Sequence, residues 1–168
     1  MKNIFYILLF LSVLFTACHN DQTAKKEIEN TVMHLYAKPE DLYNKAVDTT
    51  LFSKDIIALL QNAQKIKKAD EERIKKSDSP TDKPNLIEGS VFNSLYEGFT
   101  NYTIKNIAIK GQTASVAIDF ENNTTTQEKW TDTIVLVHTN NWKINNIVFS
   151  KKHSQTIDLK EKLKSINQ

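Results

Sequence analysis

With one cysteine and four histidines, the chain has few ways to assemble reactive side chains. Cys18 is the single thiol and can close no disulfide within the chain. His19, His34, His138 and His153 are scattered, and there is neither a His-Glu-x-x-His pair nor a Cys-x-x-Cys pair to gather a metal ion, so no metal or cofactor is expected. A Gly-x-Ser-x-Gly nucleophile elbow and a glycine-rich phosphate loop are both missing from the sequence. Acid–base chemistry is then the best enzymatic option, with Asp119 and Asp132 on strand-like segments and His138 at a strand end. Asp119 alternates with Ile118 and Phe120, which puts it on the solvent face of its strand, and the same face is expected for Asp132. His138, beside a turn, is expected to be exposed. Among the aromatic residues, Tyr36, Tyr96, Trp130 and Trp142 could line a ligand pocket, although in a domain of this size such residues also build the core. Trp130 and Trp142 flank a hairpin and are expected to pair across it.

These residues are preceded by a segment of different character. Lys2 is the only charge before Cys18, Ile4 to Phe15 is apolar except for Ser12, and Thr16 and Ala17 are small. A charged start, an apolar run of this length and a small-residue end form a signal peptide over residues 1–17. The run is shorter than the roughly 20 apolar residues a membrane-spanning helix requires. Leu14-Phe15-Thr16-Ala17-Cys18 resembles the lipobox of bacterial lipoproteins. In that family the cysteine is acylated, with palmitate among the chains, and becomes the new N-terminus. The resemblance implies a lipid on Cys18 that holds the protein to a membrane of the bacterial cell envelope. The outer membrane is the expected one, with the domain facing the periplasm or the cell surface. One acyl chain anchors marginally and two or three anchor stably. Residues 18–23 then serve as a polar tether.

Residues 24–168 are enough for one domain, with a core that needs no disulfide or metal. The chain has 22 basic and 20 acidic residues, and loss of Lys2 with the leader leaves 21 against 20. This near-neutral balance gives no electrostatic reason to expect nucleic acid as a partner. With three Gly and three Pro, turns are expected to rely on Asn in the left-handed region.

Ile28, Val32, Leu35 and Tyr36 recur at helical spacing from about Ala24, and Pro39 ends that helix near Ala37 or Lys38. Pro39-Glu40-Asp41 reads as the first turn of a second helix with Leu42, Tyr43, Ala46 and Val47 on its apolar side. Ser53 is the N-cap of a third, whose face is Ile56, Leu59, Leu60, Ala63 and Ile66, with a solvated end carrying a Glu71–Lys75 pair. Residues 77–85 are a loop, and 91–96 a short helix or turn. From Tyr102 the period becomes two. Four strands are expected: Tyr102 to Ile109, Ala114 to Phe120, Trp130 to Val137 and Trp142 to Phe149, with Asn145-Asn146 a bulge candidate. The continuous Ile134-Val135-Leu136-Val137 is expected to be buried on both faces. Ile157, Leu159, Leu163 and Ile166 indicate a short C-terminal helix. Helices followed by a four-stranded antiparallel meander make an α+β fold, a curved sheet wrapped on helices with room for a pocket between them.

Residues 30–149 resemble the exported NTF2-like (cystatin-like) α+β domains, in particular the DUF3828 group of bacterial lipoproteins. The resemblance is carried by Leu35-Tyr36-Ala37, Leu51-Phe52-Ser53, the acidic proline loop 78–85, and the strands 114–120, 130–137 and 141–147, the last with its Trp-Lys-Ile-x-x-Ile pattern. It implies a cone of helices on a curved sheet. NTF2-like enzymes place Asp and His inside that cone, which points to Asp119, Asp132 and His138. Other relatives bind ligands, neutralise toxins or join protein assemblies. The expectation is a lipid-anchored, non-catalytic envelope module that binds an unknown protein or small molecule. An immunity-type inhibitor of an envelope-acting toxin and an NTF2-like acid–base enzyme are the alternatives.

Overall fold

A computed structural model describes residues 21–37, 40–124 and 127–166. The leader, Cys18 and Pro39 lie outside the described residues. The first helix, α1, covers 21–36, so residues 21–23, expected in the tether, are already helical. Ile28, Val32, Leu35 and Tyr36 are its buried stripe, as their spacing requires.

The second helix expected after Pro39 is replaced by turns over 40–50. A segment this short gains too little from helix propagation to offset nucleation. Here Asp41 accepts hydrogen bonds from the Asn44 backbone and side-chain amides at 3.2 and 2.8 Å, which closes one turn instead. Leu42 still enters the core.

Ser53 caps α2, Lys54–Lys75, by accepting from the Ile56 N–H, and Asp55 stands in the first turn where the helix dipole favours a negative charge. Ile56, Leu60 and Ala63 are buried, as is Ile74 in the last turn. Glu71 pairs with Lys67 at 2.5 Å rather than with Lys75.

The sheet is a meander in the order β1-β2-β3-β4, built from Asn101–Lys110, Thr113–Asn122, Glu128–His138 and Trp142–Val148, all antiparallel. Gly111 (φ 59°) and Gln112 make the two-residue turn between β1 and β2, with glycine at the first central position, where positive φ is needed. The expectation that Asn would supply left-handed turns is corrected: among the described residues, only glycines have positive φ. Asparagines shape turns through their side chains instead, as when Asn122 Oδ1 accepts from the Thr124 N–H at 3.0 Å. The β3–β4 register slips where Val135 faces Asn146 and Leu136 faces Ile144, so Asn145 is the extra, bulged residue.

One face of the sheet is covered. Val116, Ile118, Phe120, Ile134, Leu136, Ile144 and Ile147 are fully buried there. Val135 and Val137 are only half-buried, so the apolar run of β3 is covered on one face rather than two. The residues project alternately, and the helices lie on one side only. The outer edge of β4 is paired with 51–53 through Ser53 N–H to Ile144 O (2.9 Å) and Ile144 N–H to Leu51 O (3.0 Å), which blunts an otherwise open edge. The C-terminal helix α3, Leu159–Ser165, is capped by Asp158 and buries Leu159 and Leu163, with Ile166 behind them. Ile157, expected on that apolar face, is 64% exposed.

Candidate functional site

Between α2 and β1, residues 76–100 form neither helix nor strand, yet Ser90 to Ser94 are buried. Buried backbone groups must find partners. Here the partners are mostly side chains from distant parts of the chain. The Glu40 carboxylate accepts from the Val91 and Phe92 N–H groups and from the Ser90 hydroxyl. Asp132 accepts from the Ser94 N–H at 2.9 Å, and Asn93 Oδ1 accepts from the Leu95 N–H at 3.0 Å. On the acceptor side, the Tyr36 hydroxyl donates to Phe92 O at 3.0 Å, the Lys162 ammonium to Ser90 O, and the Asn122 amide to Gly98 O at 2.9 Å. Tyr43 and Asp70 take the Ile87 and Asn85 N–H groups, both at 2.7 Å.

Asp132 is the centre of this wall. It is 1% exposed and projects into the covered face of β3 between Trp130 and Ile134. Four groups donate to it: the Ser94 N–H, the Ser94 hydroxyl, the Ser150 N–H at 2.9 Å and the Trp130 indole N–H at 3.2 Å. Burial pushes its carboxyl up from the ordinary value, and these donors oppose that shift. Burial likewise depresses the Lys162 ammonium, while the charges of Glu40 and Asp132 act the other way. The Tyr36 hydroxyl is held well above its usual range, first by burial and then by the charges of Asp132 and Glu40. Tyr36, Glu40, Asp132 and Lys162 thus share one electrostatic neighbourhood.

The wall carries Tyr96, which is 58% exposed. Its ring lies over Gly89, where a Cβ would come within 2.6 Å of it, and Gly89 has φ +72°. Glycine is needed there for both the conformation and the space. The Tyr96 carbonyl accepts from the Ser90 N–H at 2.9 Å, and its hydroxyl lies 3.4 Å from Glu88. Two crevices meet at this residue. One, of about 610 Å³, is lined by Tyr36, Glu40, Ser90, Asn93, Glu97 and Phe99 among others. The second, of about 620 Å³, includes Ser94, His153, Thr156 and Lys162.

The structure therefore brings Tyr36 and Tyr96 to one crevice and puts Trp130 and Asp132 in the wall behind it. The solvent-face expectation for Asp132 is corrected. Directly opposed residues of antiparallel strands share a face, and Asp132 sits opposite Ile118, in the same alternation as Trp130 and Ile134. Asp119 does stand on the open face, 3.2 Å from Lys105 and 2.5 Å from the Thr131 hydroxyl, and its carboxyl is lowered first by the Thr131 hydrogen bond. The two tryptophans do not pair. Trp130 stacks on Phe120 at 5.4 Å, while Trp142 is opposite His138 in register and meets its ring at 5.1 Å. His138 is half-buried rather than exposed. Reading from sequence missed Ser94, Ser150, Glu40 and Lys162. Only the parity of β3, counted outward from Trp130, carried a signal for Asp132.

Among the described residues, no group of three or more His, Cys, Asp or Glu is placed to hold a metal ion, and no helix is long and apolar enough to cross a membrane. No protein-family model, curated protein or solved structure matches the chain.

Proposed function

We propose that this chain is a lipid-anchored binding module of the bacterial envelope that holds its partner at the crevices around Tyr96. The leader and Cys18 support the anchor. The observation that carries the binding reading is Tyr96 itself: a large aromatic residue left in solvent, seated on a glycine, on a loop whose backbone is fixed by Glu40 and Asp132. A rigid, amphipathic side chain beside a cavity gains contact area at low entropic cost. Acid–base chemistry at the two strand acids has less support. Asp119 is ion-paired on the open sheet face, and the oxygens of Asp132 are taken by four donors.

The test is site-specific photo-crosslinking of the full chain in the envelope of cells that make it. A photoreactive residue at Tyr96 is expected to capture a discrete species that the same residue at Lys105, on the open face, does not. Equal capture at both positions, or none at 96, would overturn the proposal. Metabolic labelling with a fatty-acid probe tests the anchor separately: label is expected on the wild type and lost in Cys18→Ser.

A further inference from the structure

We infer that the crevice between α1 and Tyr96 is a site for an organic cation, an ammonium or guanidinium group. The inference rests on the binding reading above and names the chemistry of what is bound. Three aromatic rings border this crevice: Tyr36, Tyr96 and Phe99. Tyr36 and Phe99 meet edge to face, with centroids 5.3 Å apart and planes at 85°, so they form an aromatic corner, and Tyr96 stands on the exposed side. The described residues lining it include two carboxylates, Glu40 and Glu97, and no Lys, Arg or His. Glu97 is exposed, with its charge free to face a ligand. The Glu40 carboxylate is oriented by the Ser90 hydroxyl and the Val91 and Phe92 N–H groups, all neutral donors.

Among the described lining residues, two carboxylates stand beside three aromatic rings and no cationic side chain does. Ring faces attract cations through their quadrupole, and a carboxylate adds to the same field. An anion would meet two like charges here, and a neutral apolar ligand would leave the polar groups of Ser90, Asn93 and Glu97 facing it. A volume of about 610 Å³ accepts a choline-sized cation or an arginine side chain with its flanking backbone. The Lys162 ammonium donates to Ser90 O and lines the other crevice; it interacts with the Glu40 charge from there but is not part of this lining.

The experiment is isothermal titration of the full chain in detergent micelles with choline, arginine amide and the tripeptide Gly-Arg-Gly. The neutral isostere 3,3-dimethylbutan-1-ol is the control for shape without charge. The cations are expected to bind at least about tenfold more tightly than the alcohol, the low end of a desolvated cation–π contact plus a carboxylate. Tyr96→Ala and Glu97→Gln are each expected to weaken the cation several-fold, and Lys105→Gln on the open face to leave it unchanged. Tyr96 and Glu97 are exposed, so both variants should keep the wild-type melting profile, which circular dichroism checks. Tighter binding of Gly-Arg-Gly than of arginine amide marks a polypeptide as the source of the cation. Tighter binding of choline than of either marks a small molecule. Alcohol binding as tight as choline binding, or a Glu97→Gln variant with unchanged affinity, overturns the cation inference. Crosslinking at position 96 still decides the wider binding reading by itself.

Discussion

The meander and the 76–100 segment satisfy their backbones in opposite ways. In the sheet, neighbouring strands exchange N–H···O=C bonds, and consecutive strands pair over short turns. In the segment, carboxylates, hydroxyls, amides and one ammonium replace the ladder, and they come from α1, the turn after it, β2, β3 and α3. The first arrangement tolerates substitution, because no single side chain holds the backbone. The second concentrates the load on a few polar residues, above all Glu40, which takes three donors, and Asp132, which takes four. That arrangement can fix an irregular surface that a sheet or a helix cannot present, and it is where the exposed Tyr96 is found.

Removing Asp132 should break the second arrangement most completely. Without the carboxylate, the Ser94 N–H, the Ser94 hydroxyl and the Trp130 indole N–H lose their acceptor, while the Ser150 N–H keeps the Ser94 hydroxyl oxygen at 2.7 Å. The hydroxyl can rotate to another acceptor and the two N–H groups cannot. Two orphaned buried donors at roughly 1–3 kcal/mol each give an expected loss of about 2–6 kcal/mol for Asp132→Ala, measured by urea unfolding. A loss below about 1 kcal/mol would show that the wall is held by apolar packing instead.

Gly89→Ala comes next. A non-glycine residue in the left-handed region costs on the order of 1–3 kcal/mol, and the new methyl carbon would meet the Tyr96 ring at 2.6 Å. The variant should be less stable by that order and should also displace Tyr96, lowering crosslinking at position 96. A stable variant with unchanged crosslinking would mean that the Tyr96 ring does not rest on Gly89.

Ser94→Ala is a milder cut. It removes one hydroxyl donor from Asp132 and leaves the Ser94 and Ser150 N–H groups in place, with an expected cost of about 1–2 kcal/mol by chemical denaturation. Because the Ser94 hydroxyl favours the ionised carboxylate, its loss should raise the Asp132 pKa further, which carbon-detected NMR of the carboxyl can follow.

The same contrast decides what could be read from sequence. The meander was legible because its signals are local: alternation in Val116-Ala117-Ile118-Asp119-Phe120, a glycine at the β1–β2 turn, and an Asn pair where one residue bulges. The caps Ser53 and Asp158 also act within a few residues of themselves. The wall was not legible because its bonds join positions far apart, such as Glu40 with Val91 and Lys162 with Ser90, and nothing at either end announces the other. Glu40 beside Pro39 resembles a helix start until its partner is known. Asp132 was misplaced for a different reason. An acid in a buried row contradicts composition, and the parity with Trp130 and Ile134 had to be trusted over it. The crevice residues Tyr36 and Tyr96 were named for their type alone, and only the fold distinguishes Tyr36 as wall from Tyr96 as contact.

The smallest expected effect separates the two strand acids most sharply. Asp119→Asn on the open face should cost under about 0.5 kcal/mol at neutral pH, since an ion pair with an exposed lysine is screened by solvent. Its information lies in the sign of the pH dependence. The folded pKa of Asp119 is below the unfolded value of about 3.9, so its contribution is present above that value and lost as pH falls through the folded pKa. Asp132 is shifted the other way. Between about 3.9 and its raised folded pKa, the native state binds more protons at this site than the unfolded chain does. Its contribution is therefore full in acid and declines as pH rises through that window. Unfolding free energies measured every half pH unit from 3 to 7, for wild type, Asp119→Asn and Asp132→Asn, isolate each contribution by difference. Subtracting Asp119→Asn from wild type should leave a term that grows with pH, and subtracting Asp132→Asn a term that shrinks with it. Two terms of the same sign would mean that the Ser94, Ser150 and Trp130 donors outweigh burial at Asp132. The buried wall would then be built to favour the ionised carboxylate over the neutral acid.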